Sequence, residues 1–282
     1  MEVNKIVVHY LNKTENQQRA EADLSQALLS IDGRSIDLIT RLSSKYKDAS
    51  ISYAMFDDSE GKIFPKEFKD YLNRNSDQSF LHFSCEAVKH LRDGVVNIAP
   101  AKGGFLVFSD YEIDNRKYVS VYLVRDTIGM LFRKDKTKSS YTINPAEHLD
   151  LEKLAMGCNI DLNRYQLGDG RYLTFIKGTK LDDVSAYFIN WISIKERESN
   201  RVFTENLYEL VKQVDLPSDE NGKEMPRNVF KSKVYDYINS APSKTINVRE
   251  LSDFFYSNRT YLADFAEKSD LLIDTEFRPD NN

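Results

Sequence analysis

The sequence predicts an α+β fold: a mostly antiparallel central sheet flanked by helices, followed by a helical C-terminal subdomain. Three observations carry this expectation. FLVFSDY (105–111) and KYVSVYLVR (117–125) flank the polar link EIDNR and are apolar on both faces, as paired central strands are. The segments before them repeat apolar residues at helical spacing. From residue 200 onward the pattern is helical.

In chain order, residues 5–11 read as a first strand. The polar stretch NKTENQQRAEAD leads to a helix over 35–47, where Ile36, Ile39 and Leu42 recur at helical spacing. SISYAMF (50–56) suits another strand. Residues 64–72 and 80–91 read as amphipathic helices, with Leu81, Cys85, Val88 and Leu91 on one face of the second. After the central hairpin, IGMLF (128–132) adds a strand and a polar loop follows. LEKLAMGCNIDLNRY (151–165) and RYLTFIKG (171–178) supply one or two more.

GDGRYLTFIKG (168–178) poses a choice between a phosphate loop and a turn. A phosphate loop needs a helix N-terminus directly behind it. Here Tyr172, Thr174 and Ile176 alternate with Leu173 and Phe175, a strand pattern. Gly168 and Gly170 then provide the positive φ angles of a tight hairpin turn. Thr179 caps the next helix, Asp182 and Asp183 suit its first turn, and Val184, Phe188 and Trp191 form its stripe. Helices at 201–214 and 226–239 and two short ones from 248 complete the chain. A boundary in the charged run IKERESNR separates an α+β domain, 1–198, from a helical region, 199–282.

With 282 residues, 41% hydrophobic content and a mean hydropathy of -0.53, the composition is that of an ordinary soluble protein. No stretch reaches the roughly 18 consecutive apolar residues of a membrane span. The N-terminus lacks a basic leader and a small-residue cleavage site. Cys85 and Cys158 are the only cysteines, which excludes a disulfide framework and points to the cytoplasm. The net charge of -5 is unevenly placed. From residue 246 onward four basic residues (Arg249, Arg259, Lys268, Arg278) stand against eight acidic ones, so the rest of the chain is nearly neutral. A near-neutral body can still present a basic face to a polyanion.

Several clusters invite a chemical reading. His82, Cys85 and His90 lie close together, but a closed zinc site needs four ligands, and no metal or cofactor is expected. Asp58, Glu60 and Lys62 loosely resemble the acidic and lysine spacing of metal-dependent nucleases. Glu147, His148, Asp150 and Glu152 form a second acidic cluster, read as a solvated loop. Neither cluster has a nucleophile–base pair, so no catalytic residues are assigned. The densest basic run, RKDKTK, places Arg133, Lys134, Lys136 and Lys138 directly after an apolar strand. Lys177 and Lys180 end a later strand, and Arg227, Lys231 and Lys233 line a later helix. These nine cations are the candidate nucleic-acid contacts, since phosphate binding needs Arg and Lys on a rigid base.

FLHFSCEAVKHLRD (80–93), KGGFLVFSDY (102–111), INPAEHLDLEKL (143–154), IDLNRY (160–165) and GDGRYLTFIKG with VSAYFINWI together resemble the NdpA-type nucleoid-associated proteins of bacteria. The order and spacing match over nearly the whole chain. The resemblance implies a DNA-associated protein of the cytoplasm and nucleoid, without an established enzymatic role or cofactor, and the leading expectation is non-enzymatic, weakly sequence-specific binding of double-stranded DNA. Members of that family usually continue past the point matching FRPDNN, so this chain is expected to be either a trimmed piece or a short variant, lacking a C-terminal DNA-binding portion. Two other readings stand beside it. One is an interaction module recruited through other chromosome-associated proteins, such as topology enzymes; the other is a metal-dependent nuclease. Oligomeric state is left open, and no membrane partner is expected.

Overall fold

The computed structural model describes residues 1–135, 140–149, 151, 154, 156–168, 171–176, 183–195, 200–219, 222–240 and 245–280, with the backbone alone over 126–135, 140–148 and 183–186. In chain order the elements are β1 (Glu2–Asn12), β2 (Glu21–Asp23), α1 (Gly33–Asp48), β3 (Ile51–Ala54), α2 (Ile63–Arg74) and α3 (Asp77–Val95). Next come β4 (Gly104–Ile113), β5 (Arg116–Val124), β6 (Asp126–Asp135), β7 (Ser140–Leu149), β8 (Met156–Asp161), α4 (Leu162–Gln166), β9 (Leu173–Ile176) and α5 (Asp183–Ile192). The chain then runs through α6 (Asn200–Gln213), α7 (Arg227–Ser240), β10 (Ile246–Asn247), α8 (Val248–Tyr256), α9 (Tyr261–Lys268) and β11 (Glu276–Phe277). Two compact units result: Met1–Ala49 with Phe56–Ile194, and Ser50–Met55 with Lys195–Asn282. The α+β class is therefore the observed one.

In the first unit the strand order is β2-β1-β4-β5-β8-β9, with neighbours antiparallel. The central hairpin turns in two residues, Asp114 and Asn115, whose φ angles of 51° and 62° are those of a type I′ turn. Both of its strands are buried on both faces, as their unbroken apolar runs predict. Pairing places Val107 beside Tyr122 and Phe108 beside Val121, so these pairs stand on opposite faces. On the first face, Tyr46 of α1 meets Tyr122 with ring centroids 5.7 Å apart and donates a hydrogen bond to Thr174 Oγ1 at 2.8 Å. Gly157 permits this approach, because a Cβ there would lie 2.9 Å from Tyr122 Cδ1. On the second face, Phe83 of α3 meets Phe108 edge-on at 5.7 Å. Phe64 of α2 packs on Phe83 and on Trp191 of α5, each at 5.2 Å, and Trp191 Nε1 donates to the Ala87 carbonyl at 2.7 Å. Among the described residues, α1 thus covers one face and α2, α3 and α5 cover the other.

Two expectations need correction. Residues 162–166 form a helix, α4, where the sequence suggested continued strand: the Asp161 carboxylate accepts the Arg164 N–H at 3.0 Å and caps it. Gly168, at φ +70°, follows this helix and does not form a tight two-residue hairpin turn; Gly170 lies outside the described residues. The strand LTFI is as expected, pairing Phe175 with Cys158 and Leu173 with Ile160. The second correction concerns the polar loop after 132. Residues 140–149 form β7, which pairs with β6 over ten residues in a separate two-stranded ribbon. Pro145, opposite Met130, is tolerated because each strand of a two-stranded ribbon has an unpaired edge for the missing N–H.

In the second unit, α6 to α9 enclose a core that includes Leu207, Leu210, Phe230, Leu251 and Leu262, all fully buried. The segment carrying β3 is stitched into this unit by side chains far along the chain. Asp274, 2% exposed, accepts from Ser52 Oγ at 2.8 Å and from the Tyr53 N–H at 3.0 Å. The Ile51 N–H donates to Thr275 Oγ1 at 3.1 Å, and the Thr275 N–H returns a bond to the Ile51 carbonyl at 3.0 Å.

Candidate nucleic-acid interface

Arg133 and Lys134 of the basic run lie near the end of β6, in the β6–β7 ribbon. They are the third- and second-last positions of β6, opposite Thr142 and Tyr141, and Asp135 pairs with Ser140 at the end of the ladder. Lys136 and Lys138 fall between these strands, outside the described residues, as do Lys177 and Lys180. Ten residues at about 3.3 Å each give strands roughly 33 Å long. The expected support for the cations was one apolar strand; the structure supplies a paired one. Sequence reasoning missed β7, whose signal is the Tyr141, Thr142, Ile143 triplet, three residues of high strand preference.

The cations of α7 are arranged differently. Arg227 Nη1 donates to the carbonyls of Val211 and Val214 at 3.1 and 2.6 Å, so its guanidinium serves the C-terminal end of α6. Lys231 and Lys233 are exposed. At about 100° per residue they stand on opposite flanks of the exposed surface, with Tyr235 and Asp236 between them. The helix therefore offers two separated cations, not a basic stripe.

The other clusters resolve into local pairings. Lys62 Nζ lies 3.4 Å from Asp57, whose carboxyl is held below its usual range chiefly by hydrogen bonds from Ser59. His82 Nε2 lies 3.4 Å from Glu67 Oε2, and Cys85 Sγ faces the Ser25 carbonyl at 3.8 Å. Glu147 and His148 lie on β7, not on a loop, while Asp150 and Glu152 are outside the described residues. Among the described residues, no three His, Cys, Asp or Glu side chains converge as a metal site would require. Burial pushes the Cys158 thiol up to about 12, so this cysteine stays protonated at neutral pH.

One buried polar pair has the composition of a nucleophile site but the opposite polarity. His9 Nε2 lies 2.9 Å from Ser84 Oγ, and His9 Nδ1 accepts the Ser25 N–H at 3.1 Å. Since Ser84 Oγ donates to the Leu81 carbonyl at 2.8 Å, His9 Nε2 must be the donor to Ser84. A general base would have to accept that proton instead. Asp110 is likewise committed: it accepts from Tyr71 Oη and, at 2.9 Å, from Asn4 Nδ2. Both groups tie β1 or β4 to the helical layer.

No helix among the described residues is long and apolar enough to cross a membrane. The profile of the NA37 family, described as nucleoid-associated protein YejK, matches residues 7–282. The nucleoid-associated protein YejK of Shigella sonnei (strain Ss046) is 25% identical over 241 residues, 85% of this chain and 68% of that protein. The protein of the same name from Escherichia coli (strain K12) is 24% identical over 287 residues, spanning all of this chain and 82% of that protein.

Proposed function

The chain belongs to the NA37 family of nucleoid-associated proteins, and on that premise we propose that it binds duplex DNA directly, through phosphate contacts and without catalysis. The supporting observation is the ribbon: Arg133 and Lys134 lie near the end of one strand of a two-stranded antiparallel ladder, and Lys136 and Lys138 follow them in sequence. A two-stranded ribbon is one of the two elements the major groove of B-DNA admits, and cations near the end of its strand reach phosphates along the groove rim. Thr142, opposite Arg133, and Tyr141, opposite Lys134, bring hydroxyls that also suit phosphate oxygens. Lys231 and Lys233 add separate contacts from the second unit, and Lys177 and Lys180 complete the set. Such contacts carry no direct base information, so sequence preference is weak. This activity places the protein at the nucleoid.

The test is a salt series. Replacing Arg133, Lys134, Lys136 and Lys138 by Ala should lower the slope of log affinity against log salt by about one unit per lost contact. The preference among duplex sequences should hardly change. Identical slopes for wild type and variant would remove the ribbon from the interface. The same preparation, incubated with supercoiled plasmid and Mg²⁺ or Mn²⁺, should leave it intact. Nicking that Asp58→Ala or Glu147→Ala abolishes would establish a nuclease instead.

A further inference from the structure

Phe254 of α8 is a large apolar side chain left 66% exposed, and a ladder of rings stands behind it. Phe230 of α7, fully buried, meets Phe255 edge-on with centroids 5.0 Å apart, and Phe255 meets Phe254 edge-on at 4.9 Å. Tyr237 of α7 lies against Phe254 from the neighbouring helix at 5.3 Å. The outermost ring is thus held by rings that lead into the core, and its orientation is set before anything binds. The charges around the two rings are mostly negative. Glu250 stands one turn before Phe254 on α8 and Asp253 directly precedes it, both exposed. On α7, Asp236 precedes Tyr237 and Lys233 stands one turn before it, so three carboxylates accompany one ammonium group. Burial raises the Tyr237 phenol above its usual range and the Glu250 carboxylate adds to the effect, which sets that charge beside the ring.

We propose that Phe254 and Tyr237, with Glu250 and Asp253 at their edge, form a docking surface for an arginine-bearing segment of another protein. Charge complementarity selects this occupant. Carboxylates beside the rings repel the phosphates of a nucleic acid, and they offer an aliphatic side chain nothing beyond contact. An arginine gains three things in the same place. Its guanidinium plane stacks on the exposed ring, its charge meets the negative face of that ring, and its N–H groups reach the carboxylates in charge-assisted hydrogen bonds. The wider surroundings act in the same direction, because residues 246–282 carry eight acidic side chains against four basic ones. The surface lies wholly within the second unit, and it does not rest on the DNA contacts proposed above.

The experiment is fluorescence anisotropy of the full chain with a labelled short peptide that alternates Arg with Leu, and circular dichroism of every variant. Binding should saturate below about 1 mM, and replacing each Arg by citrulline, which keeps the shape and removes the charge, should weaken it about tenfold or more. Phe254→Leu keeps an apolar side chain without the ring and should weaken binding about fivefold, while Phe254→Trp should hold or improve it. Glu250→Gln should also weaken it. Asp264→Asn, which removes a carboxylate from α9, should leave affinity within about twofold of wild type. Absence of saturation, indifference to Phe254→Leu, or equal losses from Asp264→Asn and Glu250→Gln would overturn the proposal. So would a sedimentation mass that Phe254→Leu lowers, which assigns the surface to a second copy of the chain. A loss of duplex DNA affinity in that variant would overturn it too, by assigning the surface to nucleic acid.

Discussion

His9 shows how one side chain sets a pH limit on the fold. Burial drives its pKa down to about 4, against a smaller opposing effect of Asp23. In the unfolded chain a histidine titrates near 6.5, so between these values the unfolded state holds a proton that the native state refuses. Stability is unaffected above about pH 6.5 and falls as pH drops toward 4, by up to about 3 kcal/mol in total. Urea midpoints for wild type and His9→Gln between pH 7 and 4.5 should converge as acid removes the advantage of the native histidine. Parallel curves would show that His9 is not the group responsible. Phe175 is the second residue worth testing. It is fully buried in β9, opposite Cys158. Phe175→Ala should cost about 3–5 kcal/mol, the usual penalty for truncating a core aromatic. An unchanged melting temperature would contradict its place in the core.

At the scale of elements, what the sequence reveals depends on how locally each element is determined. The helices α1, α2, α3 and α6 to α9 and the β4–β5 hairpin are legible because periodicity and burial repeat within one short window. The five-residue α4 is not, since it presents too few turns for a stripe and its capping residue, Asp161, is also the last residue of a strand. Strand β7 fails for another reason. Asn144, Pro145 and Glu147 spoil its strand signal, and only pairing with β6 along the whole ladder outweighs them. The basic run could be read from the chain; that it ends a ribbon could not. Helix α7 gives the converse case. Its three cations look alike in sequence, yet the carbonyls of Val211 and Val214 engage Arg227, and helical geometry separates Lys231 from Lys233. Which charge meets which carbonyl is a tertiary fact, beyond the reach of spacing.

For the molecule as a whole, the consequential feature is that the second unit is assembled from two separated stretches of chain. Asp274 joins them, accepting from Ser52 and Tyr53 while almost fully buried. Asp274→Ala leaves a buried hydroxyl and a backbone N–H without their acceptor, which should destabilise this unit by about 2–4 kcal/mol. Hydrogen exchange offers the direct readout, because the Tyr53 amide should lose protection while amides in β4 and β5 keep theirs. Equal protection in variant and wild type would show that other contacts hold the segment. The same stitch also has a tempo. Ser52 and Asp274 are 222 residues apart in the chain. At the roughly 5–20 residues per second of bacterial-type synthesis, Ser52 emerges about 10–45 s before its partner exists. For that interval the β3 segment is a finished piece of chain with an unfinished destination. The second unit can close only after Asp274 has left the ribosome, so its completion trails the synthesis of the β3 segment by that interval.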